Sequence, residues 1–284
     1  MNERGRRRRA AVLGSPIAHS LSPVLHLAAY AELGLNWSYD AVNVDGESIA
    51  GFLAAIDEKW VGLSLTMPLK EIVIPMVDEI SALAAQTRSV NTVLVMKNGR
   101  RRGENTDVEG IRWALMRNGI PGHGLADSTA AVIGAGATAR SAVTALGSMG
   151  ATGVSVTARR AEAIADLGDA AASSGVNVMA VPWQRAAETL VSDVVISTLP
   201  AGAADHLAVA VPPSPGALLD VVYSPWPSPL ANAWSERGGT VISGLEMLVG
   251  QAAAQVRLMT GLEPPAEVML AAGLDELAAR SRPR

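Results

Sequence analysis

A short apolar run that ends abruptly in glycines constrains this chain more than any other stretch of it. Ala130, Ala131, Val132 and Ile133 read as a buried parallel strand, and Gly134, Ala135, Gly136, Ala137, Thr138 and Ala139 follow as G-x-G-x-x-A. In such a pattern the first glycine permits a tight strand-to-helix turn and the second admits a diphosphate to the backbone. The small third residue lets the helix pack close on the sheet. Free amides at the helix start, with the positive end of the helix dipole, hold the anion. The context agrees: Ala142, Val143, Leu146 and Met149 continue with helical spacing, Gly150 closes the helix, and Gly153 to Thr157 reads as a second strand. A Rossmann-type dinucleotide-binding domain is therefore expected from here.

The end of that second strand sets the choice of cofactor. A free ribose is usually met there by Asp or Glu, and this chain has Ala158, Arg159 and Arg160 instead. A guanidinium forks onto phosphate oxygens where a carboxylate repels them, so the expected cofactor carries a ribose 2′-phosphate, which is NADP. The plainer alternative is that both arginines belong to a solvated helix start.

The glycine motif lies near the middle of 284 residues, so a substantial domain must precede it. Aromatic residues make up only 4% against 49% hydrophobic, which speaks against a base-stacking nucleic-acid surface, and the net charge of −4 gives no basic footprint. With no cysteine, disulfides, thiolate metal sites and a cysteine nucleophile are all excluded. His19, His26, His123 and His206 have no ligand spacing, so no metal is expected. The start MNERGRRRR is followed by too short an apolar stretch for a signal peptide, and no apolar run is of membrane-spanning length. The expectation is a cytoplasmic protein with a frayed basic arm.

Ahead of the motif, Ala10 to Leu13 reads as the first strand, stopped by Gly14, Ser15 and Pro16. Ser22-Pro23 reads as a helix start, serine as cap and proline at the first helical position. Ser20 and Ser22 then lie at the mouth of a strand-to-helix turn, where open α/β sheets bind ligands, or serve only as turn and cap residues. Trp37 to Val44 and Trp60 to Leu65 read as strands, with a helix over Glu47 to Ile56 between them. The second of these strands runs into Thr66-Met67-Pro68-Leu69-Lys70, and a lysine just past a strand end is a candidate proton donor as well as an ordinary solvated residue. Ser81 to Arg88 reads as a helix, and Val90 to Met96 with Arg101 to Glu104 as a hairpin around Asn98-Gly99. Asn105, Thr106 and Asp107 precede a helix that ends at Asn118-Gly119, and capping and catalysis are compatible for Asp107. Later strands are expected at Val176 to Val181, Asp193 to Ser197, Ala217 to Val221 and Thr240 to Ile242. Thr198 and Leu199 should pass over the cofactor. Gly244 opens a helix on which Met247 and Gln251, four apart, share a face, and Pro264-Pro265 starts the last helix, which ends near Arg280.

Seven blocks in order now carry a family resemblance: PIAHSLSP (Pro16 to Pro23), LTMPLK (Leu65 to Lys70), SVNT (Ser89 to Thr92), GENTDVEG (Gly103 to Gly110), GAGATAR (Gly134 to Arg140), DVVYSP (Asp220 to Pro225) and GLEMLVGQ (Gly244 to Gln251). The chain resembles the shikimate/quinate dehydrogenase family over most of its length. The resemblance implies an α/β substrate domain over residues 1–107, completed by residues 245–284 in C-terminal helices that return to it, and an NADP-binding Rossmann domain over residues 108–244. It implies that Ser20, Ser22, Thr66, Asn91, Asp107 and Gln251 hydrogen-bond shikimate or its ketone. Lys70 and Asp107 would be the catalytic pair, with Tyr223 near the substrate carboxylate. Cofactor contacts would come from residues 134–139, Ala158, Arg159, Arg160, Thr198, Leu199, Gly244 and Met247.

The implied reaction is reversible NADP-linked reduction of 3-dehydroshikimate to shikimate, a step toward the aromatic amino acids, in a monomer or homodimer with no nucleic-acid or membrane partner. A lysine ammonium suits it, supplying both charge and proton to a developing alkoxide. Ser64 and Leu69 stand where Asn and Phe are common in the family, Ala158 where Asn is usual, and Arg160 where Thr is usual. Quinate users often show a Ser-x-Thr pattern, so Ser22 points to shikimate. A quinate/shikimate dehydrogenase of broader choice, and an NADP-binding regulatory protein without turnover, are the alternatives; the presence of both Lys70 and Asp107 favours the enzyme.

Overall fold

A computed structural model describes residues 7–282. The chain divides into two compact units, Met1–Thr106 with Gln251–Arg284, and Asp107–Gly250.

In the first unit, β1 (Arg8–Gly14), β2 (Trp37–Asn43), β3 (Trp60–Leu65), β4 (Glu79–Ile80), β5 (Thr92–Val95) and β6 (Arg101–Glu104) form one sheet in the order β2-β1-β3-β5-β6-β4. β1 pairs in parallel with β2 and β3, while β3, β5 and β6 run antiparallel in turn. Ala10 to Leu13 are at most 3% exposed, as a central strand covered on both faces requires, which is why β1 reads as an unbroken apolar run. Helices α1 (Ser22–Glu32), α2 (Ile49–Ala55), α3 (Leu69–Ile72) and α4 (Ala82–Thr87) complete this part. Leu13, Leu63, Leu65 and Leu69 share a core with Ile49 and Leu53 of α2. The hairpin turns at Gly99, whose φ of 80° suits glycine.

One strand has no counterpart in the sequence reading, and one expectation changes here. β4 is too short for any periodicity to reveal it. The basic arm is not frayed throughout: residues 1–6 lie outside the described residues, but Arg8 and Arg9 belong to β1. The Arg9 guanidinium lies 4.6 Å from the Trp60 ring centre, and Arg8 Nη1 donates to the Glu58 carbonyl at 2.8 Å.

The second unit opens with α5 (Asp107–Arg117) and continues through β7 (Ala130–Ile133), α6 (Ala137–Ser148), β8 (Gly153–Ala158), α7 (Glu162–Ala165), α8 (Gly168–Ser173), β9 (Asn177–Pro182), β10 (Val194–Ser197), β11 (Ala217–Asp220), α9 (Pro229–Glu236), β12 (Thr240–Ser243) and the first turns of α10 (Gly244–Thr260). All six strands are parallel, in the order β12-β11-β10-β7-β8-β9. This is the doubly wound Rossmann order, and strand order reverses between β7 and β10, the place where such sheets bind ligands. The connections after β9 and β10 are 3₁₀ turns, Trp183–Val191 and Asp205–Ala210, rather than α-helices.

From Gln251 onward the chain clusters with the first unit, where α11 (Ala266–Arg280) packs on α1 and Arg280 Nη1 donates to the His19 carbonyl at 2.9 Å. The bounds differ from the sequence expectation because Asp107 and residues 245–250 cluster with the second unit. Glu246 Oε2 accepts from Asn118 Nδ2 at 2.7 Å and meets Arg117 at 3.6 Å, and Gly250 lies against Gly110 and Trp113 so closely that a Cβ would come within 2.9 Å of each. Among the described residues no helix is long and apolar enough to cross a membrane.

Candidate functional site

In the first unit, the carboxyl ends of β1, β3 and β6 share one edge with the amino end of β5, because β5 runs antiparallel. The segments at that edge carry Ser20, Ser22, Thr66, Lys70 and Asn91. Thr66 N–H donates to the Leu13 carbonyl at 2.9 Å, tying the end of β3 to β1. Lys70 sits in α3, next to Leu69, which is fully buried and fills the core position that anchors the helix. The Lys70 carbonyl accepts from Val90 N–H at 2.8 Å. Asn91 stands just before β5, its carbonyl accepting from Leu65 N–H at 2.7 Å and its N–H donating to the Glu104 carbonyl at 3.1 Å.

Asn91 is 1% exposed and sits among polar partners. Its Oδ1 accepts from Thr106 N–H at 2.8 Å, Thr106 Oγ1 at 3.1 Å and Thr92 Oγ1 at 2.9 Å, while its Nδ2 donates to Gln251 Oε1 at 3.3 Å. Asn91, Gln251 and Thr106 are thus one bonded group. Asn105 Nδ2 donates to Thr87 Oγ1 at 2.8 Å and to the Ser89 carbonyl at 3.2 Å.

Ser22 departs from its expected role as cap. Leu21 holds the N-cap position without a side-chain bond, and Ser20 Oγ accepts the Ser22 N–H at 3.2 Å. The Ser22 side chain is buried, at the first residue of α1 rather than at its cap.

Tyr39, Ser64, Thr92 and Gln255 are absent from the sequence-derived site, yet they form its floor. Tyr39 donates to Ser64 Oγ at 2.6 Å, Ser64 to Gln255 Oε1 at 2.8 Å, and Gln255 Nε2 to Thr92 Oγ1 at 2.9 Å. His26 stacks on Tyr39 with ring centres 3.9 Å apart, and its Nδ1 meets the Ser22 carbonyl at 2.9 Å. Burial lowers the His26 pKa to about 4, opposed by the hydrogen bond to the Ser22 carbonyl. A histidine whose folded pKa lies below its unfolded value contributes stability that is full above about pH 6.5 and is lost as pH falls toward about 4. Melting temperature is expected to drop across that window, and less so in His26→Gln; a drop of equal size in both would assign the acid sensitivity to other groups.

In the second unit the glycine loop behaves as its pattern demands. Gly134 has a φ of 118°, and a Cβ there would strike Thr198 Oγ1, so turn and packing both require glycine. Thr198 is held in turn by bonds from its amide and hydroxyl to the Ile133 carbonyl, at 2.8 and 2.9 Å. Gly136 is exposed, with open space where its Cβ would be. Gly134, Ala135, Gly136, Ala158, Arg159, Arg160, Ala163 and Leu199 line a cavity of about 420 Å³. Ala137, Thr138 and Ala139 form the first turn of α6, with Ala139 fully buried. The two exposed guanidiniums face the same cavity as the loop's amides, an arrangement that fits a dinucleotide bearing an extra phosphate.

Gly244 and Met247 do not line this cavity. Gly244 starts α10, where a Cβ would strike the Val221 carbonyl, which is reason enough for a glycine. Asp107 is the fully buried first residue of α5. Tyr223 follows β11 on a segment held by Asp220, which accepts from Ser228 Oγ at 2.6 Å and from Val222 N–H at 3.3 Å. Burial raises the Asp220 pKa, and these bonds oppose the shift. No group of three or more His, Asp or Glu among the described residues is placed to hold a metal.

These features have close counterparts among known proteins. Residues 12–93 match the family model for the shikimate dehydrogenase substrate binding domain, and residues 244–272 that for the shikimate 5′-dehydrogenase C-terminal domain. Shikimate dehydrogenase (NADP(+)) of Thermus thermophilus is 38% identical over 281 residues, 96% of this chain and 98% of that protein. The chain belongs to the shikimate dehydrogenase family. A crystal structure of shikimate dehydrogenase from Mycobacterium tuberculosis matches with a TM-score of 0.86 and 39% identity, over 94% of this chain and 99% of that one. A Thermus thermophilus shikimate 5-dehydrogenase solved with NADP(H) and shikimate matches with a TM-score of 0.82 and 35% identity, over the same shares. The two-unit α/β architecture is therefore that of a shikimate dehydrogenase.

Proposed function

We propose that this chain catalyses the reversible NADP-linked reduction of 3-dehydroshikimate to shikimate, with the first unit as the substrate domain and the second as the cofactor domain. The reading rests above all on the bonded group of Asn91, Thr106 and Gln251, set at the sheet edge that also carries Thr66 and Lys70. A small acid with several hydroxyls is selected by many short polar partners, since a buried group left unpaired by a wrong substrate costs about 1–3 kcal/mol. Ser20, Ser22, Thr66, Asn91, Asp107 and Gln251 are the proposed hydrogen-bond partners, with Tyr223 serving the carboxylate.

NADPH, held by residues 134–139 with Thr198 and Leu199 and bound through its 2′-phosphate by Arg159 and Arg160, supplies the hydride to the carbonyl carbon. Lys70 as an ammonium donates the proton that the carbonyl oxygen takes up, and is reprotonated from solvent. In the reverse direction a neutral Lys70 would accept the hydroxyl proton, and the carbinol hydrogen would pass as hydride to NADP+. Asp107 is the proposed partner of Lys70 in catalysis. Ala158, Gly244 and Met247 complete the proposed cofactor contacts, Met247 beside the nicotinamide.

The test is a turnover matrix of shikimate and quinate against NADP and NAD, with NADP and shikimate expected to give the highest kcat/KM. Equal use of quinate would indicate a broader quinate/shikimate dehydrogenase, and tight NADP binding without turnover a regulatory protein. A finer check falls on Ser20, whose Oγ already accepts a helix-start amide. Ser20→Ala is expected to raise the shikimate KM and also to cost about 1 kcal/mol of stability through the lost bond. A lower melting temperature with an unchanged KM would leave Ser20 a helix-start residue only.

A further inference from the structure

Two groups that have no choice fix the polarity of the buried network in the first unit. The Thr106 amide can only donate, so the Asn91 side-chain atom facing it at 2.8 Å is oxygen. The Asn91 main-chain carbonyl can only accept, so the Gln255 atom facing it at 3.4 Å is nitrogen. The remaining directions follow. Gln255 Nε2 donates to Thr92 Oγ1, and the Thr92 hydroxyl donates to Asn91 Oδ1. Gln255 Oε1 accepts from Ser64, and Ser64 accepts from Tyr39. On the far side Asn91 Nδ2 donates to Gln251 Oε1, which turns the Gln251 nitrogen away from Asn91. The result is one directed chain from Tyr39 through Ser64, Gln255, Thr92 and Asn91 to Gln251.

Gln255 is the span of that chain. Ser64 on β3 and Thr92 on β5 are partners across the antiparallel pair, and Gln255 reaches down from α10 to bond both. It is 1% exposed, so it reaches a ligand only through its neighbours. A hydroxyl is too short to make both bonds, and an apolar side chain makes neither. Without the bridge the Thr92 hydroxyl can turn and the Asn91 carboxamide loses one of the donors that hold its oxygen inward.

We infer that Gln255 is a positioning residue for substrate recognition: by bridging Ser64 and Thr92 it makes Asn91 and Gln251 face the ligand with amide nitrogens, so that the site selects hydroxyl oxygens as acceptors. This rests on the reading of this sheet edge as the shikimate site. The ligand class it favours is a ring polyol rather than one offering N–H groups.

Gln255→Met keeps length and volume and removes the bonds to Ser64 and Thr92 together with the longer one to the Asn91 carbonyl. It is expected to raise the shikimate KM about tenfold, with kcat changed by less than about threefold and the NADP KM unaltered. Asn91→Ala raises the same KM, and adding Gln255→Met to it is expected to raise it by less than about twofold more, because the glutamine acts through the asparagine. Fully additive losses, or a loss confined to kcat or to NADP, overturn the inference.

Gln255→Glu gives a second readout that does not depend on the methionine variant folding. Its neutral acid has one O–H and one carbonyl oxygen and reproduces the bridge, whereas its carboxylate has no donor and faces the Asn91 carbonyl. Its shikimate KM, relative to the parent enzyme, is therefore expected to rise with pH; a pH-independent ratio overturns the inference. The titratable neighbours, His26 on α1 and Tyr39 on β2, are neutral across roughly pH 6 to 9, so the trend belongs to the new carboxyl group. A parent enzyme that does not turn over shikimate with NADP refutes the functional reading in its own arm, and this inference with it.

Discussion

Replacing Lys70 with methionine is expected to lower kcat by about 100-fold or more while the shikimate KM stays within a small factor. Methionine keeps much of the length but has neither charge nor proton. Because Leu69 and the bond from Val90 to the Lys70 carbonyl anchor α3 independently of the lysine head, the fold is expected to persist. Asp107→Asn removes a charge without removing volume and is expected to act on kcat as well. The two losses should combine to less than their product, since both residues serve one proton. Near-normal turnover in Lys70→Met, or a defect in shikimate affinity alone, would remove the lysine from the mechanism.

The parts of the fold that could be read from sequence are those in which one local rule dominates. β7, α6 and β8 follow from an apolar run, a glycine turn and a helical period in succession, and the β5–β6 hairpin follows from Asn98-Gly99. β4 has two residues and α7 four, below the length at which a period exists. The 3₁₀ turns after β9 and β10 lie in sequence that also suits an α-helix, and only packing decides between them. Arg8 and Arg9 read as part of a charged arm because nothing local announces that Trp60 and the Glu58 carbonyl wait beside β1.

The site shows the same divide. The amide and hydroxyl residues on the turns are visible because turns expose chemistry, and the resemblance named them. Ser22 reads as a cap because Ser-Pro is a strong helix-start signal, while the structure starts the helix one residue earlier, with Leu21 at the N-cap. Gln255 stands one turn beyond Gln251 on α10, and that spacing was the only signal it offered. Glutamine is an ordinary helix former, so its importance appears only with its burial and its bonds to two strands.

Replacing Arg159 with alanine is expected to raise the NADP KM about 10- to 100-fold while the NAD KM changes little. The cavity that holds the glycine loop ends at Ala158, Arg159 and Arg160, so the two cofactors differ there only in what they offer the arginines. A 2′-phosphate brings up to two negative charges and several acceptor oxygens, and a charge-assisted bond to it contributes about 1.5–3 kcal/mol, the source of the expected factor. NAD presents a neutral hydroxyl and forfeits little when the guanidinium goes. Arg160→Ala is expected to act in the same direction, and the double variant to bring the two cofactors close to parity. Both guanidiniums are exposed before the cofactor binds, so added salt should raise the NADP KM far more than the NAD KM in the parent enzyme, and less steeply in Arg159→Ala. Equal losses for NADP and NAD would place Arg159 in the packing of the loop rather than on the phosphate, and cofactor choice would then have to be sought at another group lining the cavity.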